Sequence, residues 1–220
     1  MPARQRPRDA ATLVLVRRDG GTPAVLMGRR AGGHAFMPDK WVFPGGRLDR
    51  ADWHMAVLRD LDAAVADAAG RAPRRPTASP RRLARALALA AVRETFEEAG
   101  LLLGQPAPTP RRVPAAWAPF VARGLLPDLG GVAYLARAIT PPGRSRRFDA
   151  RFFLADASGL AAGEASSSPE LEETRWFPLA EARSLDLPTV TRAVLDLVEA
   201  HVAGRPVPPP FWAWHRRVAD

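Results

Sequence analysis

The stretch that says most about the fold is Arg93-Glu94-Thr95-Phe96-Glu97-Glu98-Ala99-Gly100. A helix start lies upstream, where Ser79 can cap free backbone N–H groups and Pro80 suits the first helical position. Glycine is a typical helix stop, and Gly100 provides one. These signals predict a helix over residues 80–99 that carries the quoted stretch at its C-terminal end.

The glutamates of this helix are predicted to project from one side. At about 100° per residue, Glu94, Glu97 and Glu98 fall in one sector, and the apolar residues fall opposite. Three anions at this spacing repel one another, and the negative end of the helix dipole adds to the repulsion. A hard cation such as Mg²⁺ or Mn²⁺ would relieve it, because it binds carboxylates and leaves positions open for phosphate and water. The alternative is a solvated acidic face in which Arg93 pairs with Glu97.

Composition narrows the class of protein. The 220 residues fit a single domain over 1–220, and 47% of them are hydrophobic, which is enough for a core. The absence of cysteine excludes disulfides, thiolate nucleophiles and cysteine-based zinc sites. No apolar run approaches the roughly 18 residues of a membrane span, and the N-terminus lacks a secretory pattern. We therefore expect a cytoplasmic protein without a membrane partner.

The net charge of +9 is the feature that would suggest nucleic acid as a partner. Lys40 is the only lysine, so the positive charge is almost entirely arginine, and alanine and proline are also abundant. This combination is typical of a GC-rich genome, and the arginines are scattered along the chain. We therefore do not expect a nucleic-acid partner, although the positive field would favour an anionic small substrate.

Short strands and helices alternate along the rest of the chain. Alternating and β-branched residues predict strands, and apolar residues at helical spacing predict helices. The predicted strands are residues 12–16, 24–27, 41–43, 132–139, 151–155 and 174–177, and the further helices are 54–69 and 188–203. Residues 1–10 are expected to form a tail, and 104–128 an irregular Pro-rich segment. This mixture predicts an α/β domain.

Gly45-Gly46, just after the predicted strand 41–43, begins a longer pattern. Gly46 is followed by five residues, Asp52, a gap, and then the stretch quoted above. This order resembles the signature motif of the Nudix family, in which Gly, five residues and Glu are followed after seven residues by Arg-Glu, then Glu-Glu and Gly. Two differences matter. Asp52 replaces a glutamate, and 40 residues (53–92) separate it from Arg93, which is 33 more than the family's seven.

The resemblance to the Nudix family implies an α/β/α sandwich around a small mixed sheet. The extra residues, placed at 53–85, would form a helical insertion inside the motif. Asp52 and Arg93 would still pair and brace the loop against the helix. Split motifs of this kind occur in a branch of the family similar to the peroxisomal coenzyme A diphosphatase of mammals. Residues 147–154 and 172–178 resemble that branch as well.

The same resemblance implies roles for individual residues. Glu94, Glu97 and Glu98 would bind Mg²⁺ or Mn²⁺, and the carbonyl of Gly45 would add a ligand. Glu97 and Glu98 would take part in catalysis, with Arg93 supporting them. The ion would neutralise a diphosphate and activate a water molecule for attack.

Residues outside the motif are further candidates. Glu170 is the favoured general base, because it lies in a loop before a predicted strand; a glutamate of the motif or a merely solvated Glu170 are the alternatives. Arg147 and Arg151 would lie on one face of a strand and could bind phosphate in a bidentate manner, or form a solvated edge. Trp212 and Trp214 could pack on the core, cover the site or mediate a homodimer.

The favoured function is that of a diphosphatase that cleaves coenzyme A, acyl-coenzyme A or a related nucleotide conjugate. Within the same family, the alternative substrate is ADP-ribose or a dinucleotide. A different class of protein is a non-catalytic Nudix-fold module that binds a nucleotide or RNA. The intact set of Glu94, Glu97 and Glu98 argues against that class, because a module free of catalytic demand could replace mutually repelling acids at little cost.

Overall fold

The computed structural model describes residues 6–18, 21–33, 38–73, 79–158, 160, 170–213 and 216–218. Its strands are β1 (Arg8–Arg17), β2 (Ala24–Arg30), β3 (Trp41–Val42), β4 (Gly45–Arg47), β5 (Gly104–Pro106), β6 (Leu125–Pro127), β7 (Ala133–Ile139), β8 (Phe148–Asp156), β9 (Leu171–Pro178), β10 (Phe211–Ala213) and β11 (Arg216–Val218). Its helices are α1 (Ala63–Gly70), α2 (Pro80–Ala99), α3 (Ala118–Val121), α4 (Leu179–Ala182) and α5 (Thr189–Val202). Short 3₁₀ turns lie at Ala51–Trp53 and Ala115–Trp117.

A mixed sheet in the order β11-β10-β7-β8-β1-β2-β3 organises the molecule. β1 runs parallel to β8 over almost its whole length, and it pairs with β2 only near its C-terminal end. The first half of β1 pairs instead with β4, so that Thr12 lies opposite Gly45 and Ala10 opposite Arg47. Because β4 and β2 share one edge of β1, the glycine-rich strand enters the sheet beside its central strands.

Helices cover both faces of this sheet. Leu13 of β1 and Phe153 of β8 belong to a core beneath α1 and α2. Val14 and Phe152 point the other way, into a second core that contains Val194 of α5. This division follows from the period of two in a strand, which sends neighbouring side chains to opposite faces. The predicted α/β fold, with a mixed sheet between helices, is confirmed.

α2 begins and ends where the sequence predicts. The Ser79 hydroxyl accepts a hydrogen bond from the backbone N–H of Arg82 (3.3 Å), and Pro80 occupies the first turn. Gly100 ends the helix in the left-handed conformation, with φ of 70°. Most of the helix is buried between the sheet and α1. None of the helices in the described part of the chain is both long and apolar enough to cross a membrane.

The predicted helix over residues 54–69 is wrong in its first half, because only Ala63–Gly70 is helical. The backbone N–H of Leu58 donates to the carbonyl of Pro127 (2.9 Å), and the carbonyl of Arg59 accepts from Leu129 (3.0 Å). These long-range hydrogen bonds use backbone groups that a helix would need. Apolar spacing alone could not predict them.

The central strands are longer than predicted. Residues 1–10 were expected to be a tail, yet β1 begins at Arg8, and β8 begins at Phe148 instead of residue 151. Arg8 lies opposite Phe148 in the parallel pair, so each strand extends the other. The segment 104–128, predicted to be irregular, contains the paired strands β5 and β6 as well as α3.

The described parts of segment 53–85, residues 53–73 and 79–85, pack on the α2 side of the sheet, and the last of these residues form the first turns of α2. Met55 and Leu61 are 2% and 7% exposed and belong to the core beneath α2. Just after α1, the carbonyl of Ala72 accepts a hydrogen bond from the guanidinium of Arg137 on β7 (2.7 Å). Apolar burial and polar contacts therefore both attach this segment to the rest of the fold.

Met55→Ala should lower the free energy of unfolding by about 2–4 kcal/mol, because it removes buried side-chain volume from the core. Leu58→Ala is the matched control, since Leu58 is 46% exposed, and its effect should stay within about 0.5 kcal/mol. Urea denaturation of the two variants measures the difference. Equally small effects would show that the segment is not part of the cooperative core.

Candidate active site

β4 holds a pair of glycines against the C-terminal end of α2. The backbone N–H of Gly45 donates a hydrogen bond to Oε2 of Glu98 (2.9 Å). A side chain on Gly46 would collide with the carboxylate of Glu94, and one on Gly45 would lie 2.5 Å from the carbonyl oxygen of Ala11. Glycine at both positions therefore permits the close approach between this strand and the glutamates.

A buried ion pair joins the two halves of the motif. Nε of Arg93 donates to Oδ1 of Asp52 (2.9 Å), and Nη2 donates to Oδ2 (3.1 Å). The indole N–H of Trp117 also donates to Oδ1 (3.1 Å), and the backbone N–H of Asp49 donates to Oδ2 (2.9 Å). Nη2 of Arg93 further donates to the carbonyl of Arg47 (3.0 Å). The predicted pairing of Asp52 with Arg93 is confirmed, so the long intervening segment leaves this brace intact.

The remaining nitrogen of Arg93 reaches the glutamates. Nη1 donates to Oε1 of Glu94 (2.9 Å) and to Oε2 of Glu97 (3.2 Å). Burial opposes the positive charge, but the hydrogen bond with Asp52 and the nearby carboxylates outweigh it and raise the pKa of Arg93. A permanently charged guanidinium thus orients two of the three glutamates.

The two inner glutamates bind protons more tightly than exposed ones would. Glu98 is 3% exposed, and its Oε1 has no hydrogen-bond partner among the described residues. Burial raises the pKa of Glu98 to about 8, although the N–H of Gly45 opposes the increase. Burial also raises the pKa of Glu94 to about 7, against the lowering effect of Arg93. The negative charge of Glu170 contributes to both increases.

The residues at this position fit a divalent cation. A buried carboxylate oxygen without a partner and a donor set made only of oxygens suit a hard ion such as Mg²⁺ or Mn²⁺. Across the described ranges, no three acidic, histidine or cysteine side chains already surround a common point, and Arg93 holds the exposed carboxylate of Glu97. Glu94, Glu97 and Glu98, with the carbonyl of Gly45, stay the predicted ligands.

Glu170 lies beside the glutamates of α2. It lines the same pocket as Glu94, and Nη2 of Arg30 lies 3.9 Å from its Oε2. The next two acids on β9 are directed elsewhere, since Glu172 and Glu173 both pair with Arg29, at 3.3 and 3.7 Å. These ion pairs separate Glu170 from its neighbours, whereas in the sequence only its position in a loop distinguished it.

A pocket of about 650 Å³ opens between the sheet and α5. Glu94 and Glu170 line it, together with Gly45, Gly46 and the side chains of Arg30 and Arg47. The rest of its wall is mainly apolar and is formed by β7, β8, β10 and the start of α5, with Ala138, Ile139, Phe148, Phe152, Val190 and Trp212 among its residues. Of the alternatives for the C-terminal tryptophans, packing on the core holds for Trp212, which also lines this pocket. Trp214 lies outside the described residues.

The expectation that Arg147 and Arg151 bind phosphate requires correction, because neither lines the pocket. Arg151 is 0% exposed, and its Nη1 donates to Oδ1 of Asp149 (2.9 Å). Arg147 is also buried, and its Nε donates to the carbonyl of Thr140 (3.0 Å). Phe148 begins β8 on the pocket face, so alternation sends Asp149 and Arg151 to the opposite face.

The arginines that do line the pocket are Arg30, Arg47, Arg144 and Arg146. Sequence reasoning missed them, although one signal was available. Pro141-Pro142-Gly143 is a turn signal, and Gly143 indeed adopts φ of 84°. Reading the turn would have placed Arg144 and Arg146 in a loop between two strands, at the rim of the sheet.

Comparison with known proteins supports the fold and identifies the family. No family model matches the chain. A crystal structure of a Nudix hydrolase from Alicyclobacillus acidocaldarius is 31% identical, with a TM-score of 0.66, over 89% of this chain and 92% of that one. The Nudix domain of NrtR from Shewanella oneidensis, 14% identical with a TM-score of 0.52 over 92% and 93% of the two chains, shows the fold alone. The chicken (Gallus gallus) protein named acyl-coenzyme A diphosphatase NUDT19 is 30% identical over 72% of this chain and 54% of its own.

The helix–sheet–helix fold and the carboxylate-bearing helix thus agree with the class of protein that the sequence motif indicates. The chain belongs to the Nudix hydrolase family, as its similarity to the Alicyclobacillus acidocaldarius enzyme shows. The predicted membership of this enzyme family is confirmed. The chain spans about half the length of the curated chicken relative.

The raised pKa of Glu98 makes the stability of the metal-free protein depend on pH. The carboxyl group binds its proton more tightly in the folded than in the unfolded chain, with a pKa near 8 instead of 4.5. Its stabilising contribution is therefore complete below pH 4.5 and is lost as the pH rises through about 8.

Glu98→Gln should consequently flatten the fall in the free energy of unfolding across this pH window, measured by urea denaturation in the presence of a chelator. Each unit of pKa difference is worth about 1.4 kcal/mol. Glu181→Gln, at an exposed position outside the pocket, is the matched control and should keep the wild-type slope. An unchanged slope in the Glu98 variant would show that the pKa of Glu98 is not the source of this pH dependence.

Proposed function

We propose that the chain is a metal-dependent diphosphatase that hydrolyses the phosphoric anhydride bond of a nucleotide conjugate, with coenzyme A or acyl-coenzyme A as its substrate. One observation carries the proposal. Glu94 and Glu98 are held against the backbone of Gly45 and Gly46, and Glu94 and both glycines line a pocket of about 650 Å³. A pocket of this size accommodates a substrate of nucleotide dimensions.

The residues of the site have separate roles in hydrolysis. Glu94, Glu97, Glu98 and the Gly45 carbonyl would hold Mg²⁺ or Mn²⁺, and the bound ion would supply charge neutralisation and Lewis acidity. Arg93, fixed by Asp52, keeps two of these carboxylates in position. No covalent intermediate on the protein is required, because positioning and electrostatics supply the catalysis.

Proton and phosphate movements follow from the groups around the pocket. Glu170 accepts a proton from the attacking water as the water oxygen bonds to one phosphorus. The bond from that phosphorus to the bridging oxygen breaks, and the bridging oxygen leaves with the second phosphate. Arg30 and Arg47 line this part of the pocket, and their guanidinium groups would contact the phosphate oxygens.

Two considerations favour coenzyme A or its acyl derivatives over other nucleotide conjugates. The chicken relative is named an acyl-coenzyme A diphosphatase. The pocket adds an apolar wall, including Phe148, Phe152 and Trp212, which suits the apolar parts of such a molecule. The NrtR domain was crystallised with ADP ribose, so ADP-ribose belongs in the same test, together with NADH and dinucleoside polyphosphates.

Glu97→Gln should reduce hydrolysis of the substrate by at least about 100-fold, because it removes a metal ligand that takes part in charge stabilisation. The measurement is release of phosphate esters from a panel of coenzyme A, acyl-coenzyme A, ADP-ribose, NADH and dinucleoside polyphosphates with Mg²⁺ or Mn²⁺. Glu181→Gln should retain wild-type rates. No cleavage of any panel member, with no metal-dependent rise in melting temperature, would favour the binding-module alternative.

Glu170→Gln should lower kcat by about 100-fold or more with little change in KM, because it removes the proton acceptor and not a binding contact. Glu172→Gln, two residues along β9 and paired with Arg29, should change kcat less than about twofold. If the two variants behave alike, the general base is a glutamate of α2 instead.

A further inference from the structure

A second group of cations lines the pocket, on the loop between β7 and β8. Arg144 and Arg146 are exposed and line the pocket. Arg30, in contrast, lies near the carboxylate of Glu170. No ion pair links Arg144 or Arg146 to any residue that the structure describes. Two unpaired guanidinium groups beside a pocket are available for an anionic ligand.

The base of this loop is tied down. The backbone N–H of Thr140 donates to the carbonyl of Phe148 (2.9 Å), and the N–H of Phe148 donates to the hydroxyl of Thr140 (3.0 Å). Nε of the buried Arg147 donates to the carbonyl of Thr140 (3.0 Å). Arg147 therefore braces the loop that presents Arg144 and Arg146, and this contact gives a role to an arginine that does not itself reach the pocket.

The strand register separates these arginines from the glutamates. Gly46 lies opposite Ala11 on β1, whereas Phe148, which follows the loop, lies opposite Arg8. Three residues along the strand and two strand spacings across amount to about 14 Å between Gly46 and Phe148. A diphosphate held at Glu94 would therefore not also occupy the position beside Arg144 and Arg146. A different anionic group is needed there.

The start of α5 adds positive potential to the same pocket. Thr189, Val190 and Thr191 line the pocket, and Pro188 caps the helix without a side-chain hydrogen bond. The first backbone N–H groups of a helix lack partners within the helix and carry the positive end of its dipole. This feature strengthens the basic character that Arg144 and Arg146 give to this part of the pocket.

We infer that Arg144 and Arg146 form a second anion subsite, which binds a phosphomonoester on the nucleoside part of the substrate. The inference rests on the proposed function, in which the diphosphate lies at the glutamates. Coenzyme A carries such a group on its ribose, whereas dephospho-coenzyme A, ADP-ribose and NADH do not. The subsite therefore selects among nucleotide conjugates that all contain a diphosphate.

The test compares coenzyme A with dephospho-coenzyme A as substrates. The wild-type protein should favour coenzyme A by about tenfold or more in kcat/KM, mainly through KM, because charge-assisted contacts to the phosphomonoester add binding energy. The double variant Arg144→Gln with Arg146→Gln should reduce this preference to near unity, with hydrolysis of dephospho-coenzyme A lowered no more than in the charge-matched control described below. Replacing both arginines by lysine should restore part of the preference.

A matched control uses two exposed arginines outside the pocket, Arg123→Gln with Arg205→Gln. This double variant has the same net charge as the test variant, so it corrects for the general electrostatic field. It should keep the wild-type preference for coenzyme A. If it loses as much preference as the Arg144 and Arg146 variant, no local subsite exists.

A binding experiment separates this inference from the proposed reaction. Adenosine 3′,5′-bisphosphate contains no anhydride bond, so calorimetry with Mg²⁺ measures its binding without turnover. It should bind about tenfold or more tightly than adenosine 5′-monophosphate, and only the Arg144 and Arg146 variant should lose the difference. If adenosine 3′,5′-bisphosphate binds more tightly in this way but coenzyme A is not cleaved, the subsite is upheld and the proposed substrate is overturned. Equal binding of the two nucleotides, with coenzyme A and dephospho-coenzyme A cleaved equally well, would overturn the subsite and leave the diphosphatase intact.

Discussion

The buried ion pair between Asp52 and Arg93 connects two segments that lie 41 residues apart in the chain. Charges taken out of water are tolerated when their hydrogen-bonding capacity is met, and here Trp117, the Asp49 backbone and the Arg47 carbonyl complete it. Loss of the Asp52 carboxylate would leave a buried guanidinium without its partner. Because Arg93 also contacts two glutamates, the same pair that closes the motif sets the orientation of the site.

The glutamates of α2 add a second constraint. Burial raises the pKa of both Glu94 and Glu98, and Oε1 of Glu98 lacks a partner among the described residues. Such an arrangement costs free energy in the metal-free protein, and packing of α2 on both sides compensates for it. A bound cation would convert this unfavourable cluster into a favourable one. Gly45 and Gly46 matter for the same reason, since only their lack of a side chain brings backbone this close to the carboxylates.

What the residues predicted by themselves was local, and only the resemblance to the family motif predicted a long-range contact. The helix over 80–99 was predictable because Ser79, Pro80 and Gly100 act on adjacent backbone groups, and the Asp52–Arg93 pair followed from the motif. The helix over 54–69 was predicted too long, because hydrogen bonds to Pro127 and from Leu129 hold its first half in another conformation.

Predictions that depended on strand register failed for a related reason. Arg147 and Arg151 looked like phosphate ligands, but the pairing of β8 with β1 starts at Phe148 and turns Arg151 away from the pocket. The same register brings Arg144 and Arg146 to the rim of the pocket. In the sequence, Glu170 differs from Glu172 only by lying before the predicted strand. The ion pair between Glu172 and Arg29 joins β9 to β2, and such a tertiary contact could not be predicted from the sequence.

The central claim is that the acidic cluster of α2 is a metal site, and calorimetric titration of the metal-free protein with Mn²⁺ tests it most directly. Titrations at pH 7 in two buffers of different ionisation enthalpy also report proton release. We expect saturable binding with release of protons, because pKa values of about 7 and 8 leave Glu94 and Glu98 partly protonated before the ion binds. A variant with both residues replaced by glutamine should bind Mn²⁺ far more weakly. Absence of saturable binding, or binding that is equally tight in the double variant, would contradict the account.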